Sequence, residues 1–277
     1  MQRVAYLGIP GSFSYQATRI YFGDEVDPLS QNSFDDIFKL LDSGDGDFGV
    51  LPVENSSVGM ITQVFDLLNQ YNAKIQGELF LRVEHNLLTI SGARLEDIKE
   101  IYSHPQAIQQ CAKFLGQSQN WQAIPFFDTA KSAKWVKGQK DKALAAIGST
   151  EAARLYGLDI LVSDIQDNSS NYTRFVIIAR ENEIKADYNK ISLNLTLNHT
   201  AGSLYKVVEQ FAKSNLNMLS IKSRPIVSRP FEYMFYIDFE GNLRDDNVKY
   251  ALKRIQRHCS NFKILGNYKA GTFKHIL

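Results

Sequence analysis

What most constrains this chain is an alternation of short apolar runs with amphipathic stretches, which holds up to Arg180 and then changes its order. Residues 4–7 predict a strand. A helix follows from Ser14, with Phe13, Ala17, Ile20 and Tyr21 on one face. Residues 48–51 predict a second strand, and Ile61, Val64, Phe65 and Leu68 a second helix. Residues 87–90 and 101–102 read as strands, then Ala107, Ile108, Cys111, Phe114 and Leu115 as a third helical stripe. Residues 143–147, 160–162 and 175–179 complete the strands of this part. Strands alternating with helices argue for an α/β fold with largely parallel sheets.

The stretch ARENEIKADYNK is charged and lacks an apolar stripe, so it reads as a linker. Beyond it, residues 191–197 predict a strand, Leu204, Val207, Val208 and Phe211 a helix, and residues 218–222 a strand. Tyr233, Phe235, Ile237 and Phe239 alternate as one face of a strand should. Val248, Leu252, Ile255 and Cys259 mark a helix and residues 263–268 a last strand. The order βαββαβ is that of a ferredoxin-like domain. Two domains also suit a chain of 277 residues.

Composition narrows the function. Lys and Arg number 31 against 30 Asp and Glu, which leaves no basic footprint for nucleic acid. No apolar run reaches the length of a membrane span, and the N-terminus lacks the pattern of a signal peptide. Two cysteines far apart predict no disulfide framework and fit a reducing cytoplasm. The five histidines are scattered, with no HExxH or CxxC spacing, so no metal site is expected. Walker A, GxGxxG and GxSxG motifs are absent, so neither phosphate-dependent nor dinucleotide chemistry is expected.

Ligands of open α/β sheets sit at strand ends, and four such ends are unusually polar. GIPGSFSYQA joins a strand to a helix through glycines and serines. It can aim backbone N–H groups at an anion, or be a tight turn with a serine cap. GVLPVENSSVGMI carries Glu54, Asn55, Ser56 and Ser57, more polar groups than a cap requires. In YSHPQAIQQC a capping box accounts for Ser103 and Gln106 but not for His104, and Gln110 is equally explained by solvent. NSSNYTRFVIIAR sets Thr173 and Arg174 at the mouth of a buried strand, where the guanidinium must stay paired or wet. Such polar ends with one Arg suit a small organic anion and chemistry without a cofactor.

GIPGSFSYQA, VLPVENSSVG, SHPQAIQQC and NYTRF, in this order and spacing, resemble the prephenate dehydratase family. GSLYKVVEQFAKSNLNMLSIKSRP and EYMFYIDFEG resemble the two signatures of its ACT regulatory domain. The resemblance covers essentially the whole chain. It implies a catalytic domain over residues 1–181, made of two α/β lobes like a type II periplasmic binding protein, and an ACT domain over 190–277. It implies conversion of prephenate to phenylpyruvate, water and CO2 without a cofactor, L-phenylalanine as feedback inhibitor at ACT–ACT interfaces, and a homodimer or homotetramer. The chain opens on its first strand, which predicts the form without a preceding chorismate mutase domain.

The same resemblance assigns residues. Thr173 would serve the ring hydroxyl, with Asn55, Ser56, Ser103 and Gln110 orienting substrate, Phe175 beside them, and the Ser12–Phe13 backbone completing an anion site. A threonine is a weak acid, so a nearby acid or a water is expected to supply the proton, with Glu54 and His104 the candidate acids. Arg174 is expected on the pyruvyl carboxylate, because holding the ring carboxylate would stabilise the charge that leaves as CO2. Effector contacts are expected at Ala201, Gly202, Ser203, Leu204, Asn217, Met218, Ser223, Arg224 and Pro225. Where the ACT motif usually reads Glu-Ser-Arg-Pro, Lys222 opens this one, which predicts altered effector binding. Alternative readings are an arogenate dehydratase, a non-catalytic binding protein for small anions, and an ACT-type amino-acid sensor.

Overall fold

The computed structural model describes residues 1–181, 183–198, 200–226 and 229–274, with backbone alone at 229–231 and 273–274. Asn182 of the expected linker and residues 275–277 of the expected second domain lie outside the described residues.

The first lobe begins with β1 (Gln2–Leu7), α1 (Phe13–Phe22), β2 (Val26–Gln31), α2 (Phe34–Ser43) and β3 (Phe48–Asn55). It continues through β4 (Gly59–Met60), α3 (Thr62–Gln70) and β5 (Lys74–Arg82). Helix starts follow local chemistry: Ser12 and Ser33 accept from the N–H groups of Tyr15 and Asp36, satisfying donors that no helical carbonyl can reach. The chain then crosses to a second lobe. This holds β6 (Asn86–Thr89), β7 (Glu100–Ser103), α4 (Pro105–Gln110), α5 (Ala112–Leu115), β8 (Gln122–Pro125), α6 (Thr129–Gln139), β9 (Leu144–Gly148), α7 (Thr150–Tyr156) and β10 (Asp159–Val162). It returns to the first lobe as β11 (Tyr172–Ala179). The two crossings are hydrogen-bonded to each other, Val83 N to Asn171 O at 2.8 Å and Ile165 N to His85 O at 2.9 Å.

Both sheets are mixed, which corrects the expectation of largely parallel ones. In the first sheet, of order β5-β11-β3-β1-β2, the returning β11 runs antiparallel to β3 and β5. In the second, of order β10-β6-β9-β7-β8, β6 is antiparallel to both neighbours. The third expected helix is split into α4 and α5 at Cys111, whose ψ of 21° leaves the helical range.

The third unit is β12 (Lys190–Leu197), α8 (Ser203–Lys213), β13 (Met218–Ile226), β14 (Arg229–Glu240), α9 (Asp246–Gln256) and β15 (Cys259–Tyr268). Its sheet has the order β13-β14-β12-β15, the ferredoxin-like arrangement. Cys259 opens β15 instead of ending the helix before it. Val207, Phe211, Val248 and Ile255 of the helices pack on Leu193, Leu195, Ile237 and Phe239 of the sheet. A final short strand, β16 (Phe273–Lys274), leaves this unit and pairs with the edge of β5.

The other face of that sheet is also buried, against the first lobe. Tyr236, Leu265 and Tyr268 belong to one apolar core with Phe38, Leu51 and Phe65. Lys263 Nζ reaches the carbonyls of Leu68, Asn69 and Tyr71 at the end of α3, at 2.8, 3.1 and 2.7 Å. Gly266 makes the approach possible, since a Cβ there would stand 2.2 Å from the Ile75 carbonyl oxygen.

Within this interface lies a buried ionic cluster. Arg174 donates to Glu78 at 2.7 Å, Asp238 at 2.6 Å and the Tyr268 hydroxyl at 3.0 Å. Lys190 Nζ lies 2.9 Å from both Glu78 oxygens, and Ser192 donates to Asp238 at 2.5 Å. Two cations thus meet two carboxylates with their hydrogen bonds filled, the condition under which buried charge is tolerated. Burial pushes the Asp238 carboxyl up, but Arg174 and Lys190 outweigh it and hold it below the ordinary carboxylate range. A depressed folded pKa stabilises above the unfolded value and stops doing so as pH falls through the folded one. Melting temperature should therefore drop as pH falls below about 4. Asp238→Asn should cost about 3 kcal/mol at pH 7, because Arg174 loses a partner, and should flatten that acid limb. Denaturant and thermal melts at the two pH values test this.

Candidate active site

A cavity of about 440 Å³ lies between the two lobes. The first lobe contributes Gly8, Ser12, Phe13, Ser14, Asn55, Thr173 and Phe175. The second contributes His104, Gln106, Ala107, Gln110, Asp128, Thr129 and Lys131, and the crossing segment contributes His85. The glycine–serine turn touches the far lobe. Ser149 donates to Gly11 O at 2.9 Å and Tyr156 to Pro10 O at 2.5 Å. Gly11 has φ of 92°, and a Cβ there would stand 3.1 Å from Ala152 Cα, so no larger residue fits without a shift.

Five polar side chains form a chain whose direction is fixed by backbone groups. Asn55 Oδ1 accepts from the N–H groups of Ser57 and Val58, at 2.9 and 3.1 Å. Those donors cannot reverse, so Asn55 Nδ2 must be the donor to its neighbours. It donates to Thr173 Oγ1 at 2.9 Å and to Asn171 Oδ1 at 2.8 Å. Asn171 therefore presents its own amide N–H, and Nδ2 donates to Gln110 Oε1 at 3.2 Å. Gln110 Oε1 is then an acceptor for His85 Nε2 at 2.9 Å, which sets the imidazole tautomer. Burial pushes the His85 pKa down against the Gln110 hydrogen bond, so the ring stays neutral near pH 7. Its Nδ1 is buried without a partner among the described residues. At the other end, Thr173 Oγ1 accepts from Asn55, which frees the hydroxyl proton to point into the cavity.

This geometry brings together Thr173, Asn55, Gln110, Phe175, Ser12, Phe13 and His104. Ser103 sits just behind, the last residue of β7, fully buried and donating to Ile147 O at 2.8 Å. The expected capping box is corrected: His104 is the cap of α4, its Nδ1 accepting from Gln106 N at 3.2 Å. Ser56 bridges the strand ends, donating to Ser170 O and accepting from Tyr172 N.

Ser103 and Ser56 do not line the cavity, and two further expected residues point away from it. Side chains alternate along β11, so with Thr173 and Phe175 facing the cleft Arg174 faces away, into the buried cluster with Glu78 and Asp238. The geometry therefore does not support Arg174 as the carboxylate ligand. Glu54 likewise lies beside cleft-facing Asn55 and points to the C-terminal unit, paired with Lys222. It is outside the lining residues and out of place as proton donor. Among those lining residues Lys131 is the one Lys or Arg, 3.6 Å from Asp128. Sequence reading missed His85, Asn171 and Lys131. Asn171 stands within the NSSNYTRF stretch and was open to notice. Lys131 sits on α6, whose small buried residues give little periodic signal.

In the C-terminal unit Gly202 precedes α8 with φ of 78°, and Ser203 and Leu204 line a cavity of about 170 Å³ with Thr200, Tyr233 and Phe235. Asn217, Met218, Ser223 and Pro225 lie on or before β13, Ala201 before α8, and Arg224 pairs with Asp66 of the first lobe. No group of three or more His, Cys, Asp or Glu able to hold a metal occurs among the described residues, and none of their helices is long and apolar enough to cross a membrane.

The directed chain makes Asn55 sensitive to charge as well as shape. Asn55→Asp removes the donor to Thr173 and Asn171 while keeping volume. Bound ligand or turnover at this site should fall on the order of 10²-fold, with the fold retained by circular dichroism.

Known proteins bear on this site. The family model described as prephenate dehydratase matches residues 4–183. A bifunctional chorismate mutase/prephenate dehydratase of Enterobacter agglomerans is 35% identical over 271 residues, covering 96% of this chain and 70% of that protein. Arogenate dehydratase 1 of Petunia hybrida is 38% identical over 285 residues, covering 96% of this chain and 66% of that protein. Among solved structures, a prephenate dehydratase from Arthrobacter aurescens in complex with L-Phe superposes with a TM-score of 0.87 at 27% identity, covering 96% of this chain and 89% of that one. With two thirds of its length under that model and the cavity inside the matched span, this chain belongs to the prephenate dehydratase family.

Proposed function

We propose that the interlobe cavity converts prephenate to phenylpyruvate, water and CO2. We propose further that the C-terminal unit is an ACT domain through which L-phenylalanine inhibits the reaction. The observation that carries the first part is the Thr173 hydroxyl, whose oxygen is occupied by Asn55 Nδ2 so that its proton is free.

Prephenate gains aromaticity when the bond to its ring carboxylate breaks, the electron pair enters the ring and the C4–O bond breaks with its own pair. Hydroxide is a poor leaving group, and a proton donor at that oxygen is worth about 10²–10⁴-fold. Thr173 gives it a hydrogen bond in a site pre-set by Asn55, Asn171 and Gln110, and one proton from solvent, relayed through a water that is itself re-protonated, completes the departing water molecule. His85, held neutral with its Nε2–H given to Gln110, is not the acid.

The pyruvyl carboxylate is assigned to the start of α1, where Ser12 caps the helix and Ser12, Phe13 and Ser14 line the cavity, with Lys131 across the cleft. The ring carboxylate is left without a cation, which favours its loss as CO2. Phe175 and Phe13 supply apolar walls. In the regulatory reading, Ser203 and Leu204 line half of an effector site. Edge strand β13 exposes Leu219 and Ile221 for a second copy, in keeping with a homodimer or homotetramer. The same reading has the enzyme cytoplasmic.

The test is purified protein with prephenate, following phenylpyruvate by absorbance with and without L-phenylalanine. Turnover suppressed by phenylalanine is expected. Thr173→Ser should keep most of kcat and Thr173→Ala should lose about 10²-fold or more. Equal activity of the two variants would remove the hydroxyl from the mechanism. Turnover of arogenate and not prephenate would reassign the substrate, and turnover of neither would leave a binding protein.

A further inference from the structure

The reactive pair has a reverse side. Thr173 stands opposite Asn55 across β11 and β3, and the next pair in register is Arg174 with Glu54. Alternation turns this second pair away from the cavity, toward the C-terminal sheet. There Arg174 meets Asp238 of β14, and Glu54 meets Lys222 of β13, the neighbouring strand. A two-strand unit that presents the reactive side chains is therefore held from behind by a two-strand unit of the other domain.

The two grips differ. Arg174 and Asp238 are buried and share their cluster with Glu78 and Lys190, which makes a fixed joint. The Lys222 and Glu54 side chains are 26% and 33% exposed, so their attraction is screened and the contact can open at small cost. The ladder is irregular beside this point. The β3–β11 register shifts just after Arg174, and past Asn55 the chain turns away into β4. What holds Glu54 thus helps set where Asn55 meets Thr173.

We infer that Lys222 is a positioning residue for the dehydration: its ion pair with Glu54 sets the Asn55–Thr173 geometry and carries the effect of the C-terminal domain to the site. This rests on the reading of the cavity as the dehydratase site. Lys222→Glu reverses the charge, Lys222→Met removes it while keeping the stem, and the Glu54→Lys/Lys222→Glu double variant restores the pair in the opposite sense. Each is assayed with prephenate for kcat and KM separately, for inhibition by L-phenylalanine, and for L-phenylalanine binding by calorimetry.

Lys222→Glu should lower kcat about two- to five-fold with KM unchanged, and Lys222→Met about two-fold. The double variant should recover most of the loss. L-phenylalanine should still bind Lys222→Glu while inhibiting it less at saturation, as expected when coupling and not binding is weakened. Unchanged kcat in both single variants would overturn the inference. So would a double variant as slow as Glu54→Lys alone, which would return Glu54 to the chemistry, and so would inhibition lost together with binding. Failure of the unaltered protein to turn over prephenate would instead remove the reading on which this one rests, and it is read before any variant is made.

Discussion

Arg174 is nine-tenths buried and bonded to two carboxylates and a phenol, and most of the molecule is arranged around that fact. A buried guanidinium that loses its partners is among the more costly defects a fold can carry. Its partners come from three strands, β5, β14 and β15, and Lys190 of β12 completes the charge balance. The first lobe and the C-terminal sheet therefore satisfy each other's charges and share one apolar core. Because Arg174 follows Thr173 on one strand, the requirement that fixes the interface also fixes the direction of the hydroxyl on the opposite face.

Much of the fold was legible in period and order. The 3.6-residue stripes of α3 and α8 and the two-residue alternation of β14 each report one buried face. The βαββαβ order after Arg180 matches the sheet order found. What escaped has physical reasons. Strand β5 carries Gly77 and a buried Glu78 and so lacks a plain apolar run. Helix α6 buries Ala130, Ser132, Ala133 and Val136, small residues with little contrast between faces. On β12 the polar set Lys190, Ser192, Asn194 and Thr196 looks like a solvent face, yet it is buried against the first lobe and its bonds.

At the site the same limits recur. Residue types pointed to Thr173, Asn55 and Gln110, because clustered amides and hydroxyls at strand ends exceed what capping needs. Position along a strand decided what type alone could not. Arg174 and Glu54 carry the charges that suggest substrate and acid work, but each stands one residue from a cleft-facing neighbour and so points the other way. Alternation applied from Thr173 outward would have separated them. The orientation of the amide chain is of another kind, since it depends on two backbone N–H groups in the turn after Asn55.

One strand bears on how this chain acquires its shape. β16 pairs with β5 although the whole C-terminal unit intervenes between them, and β11 enters the same sheet only after the second lobe has been made. During synthesis the first lobe must wait with open sheet positions while later segments emerge. Contacts so distant in sequence slow folding, because loop-closure entropy is lost before pairing returns it. An emerging chain of this kind exposes unpaired strand edges for the time it takes to make about a hundred residues, some seconds at ribosomal rates. The pairing that joins the first lobe to the C-terminal unit in the finished protein thus leaves the nascent one with strand edges to be kept from its neighbours.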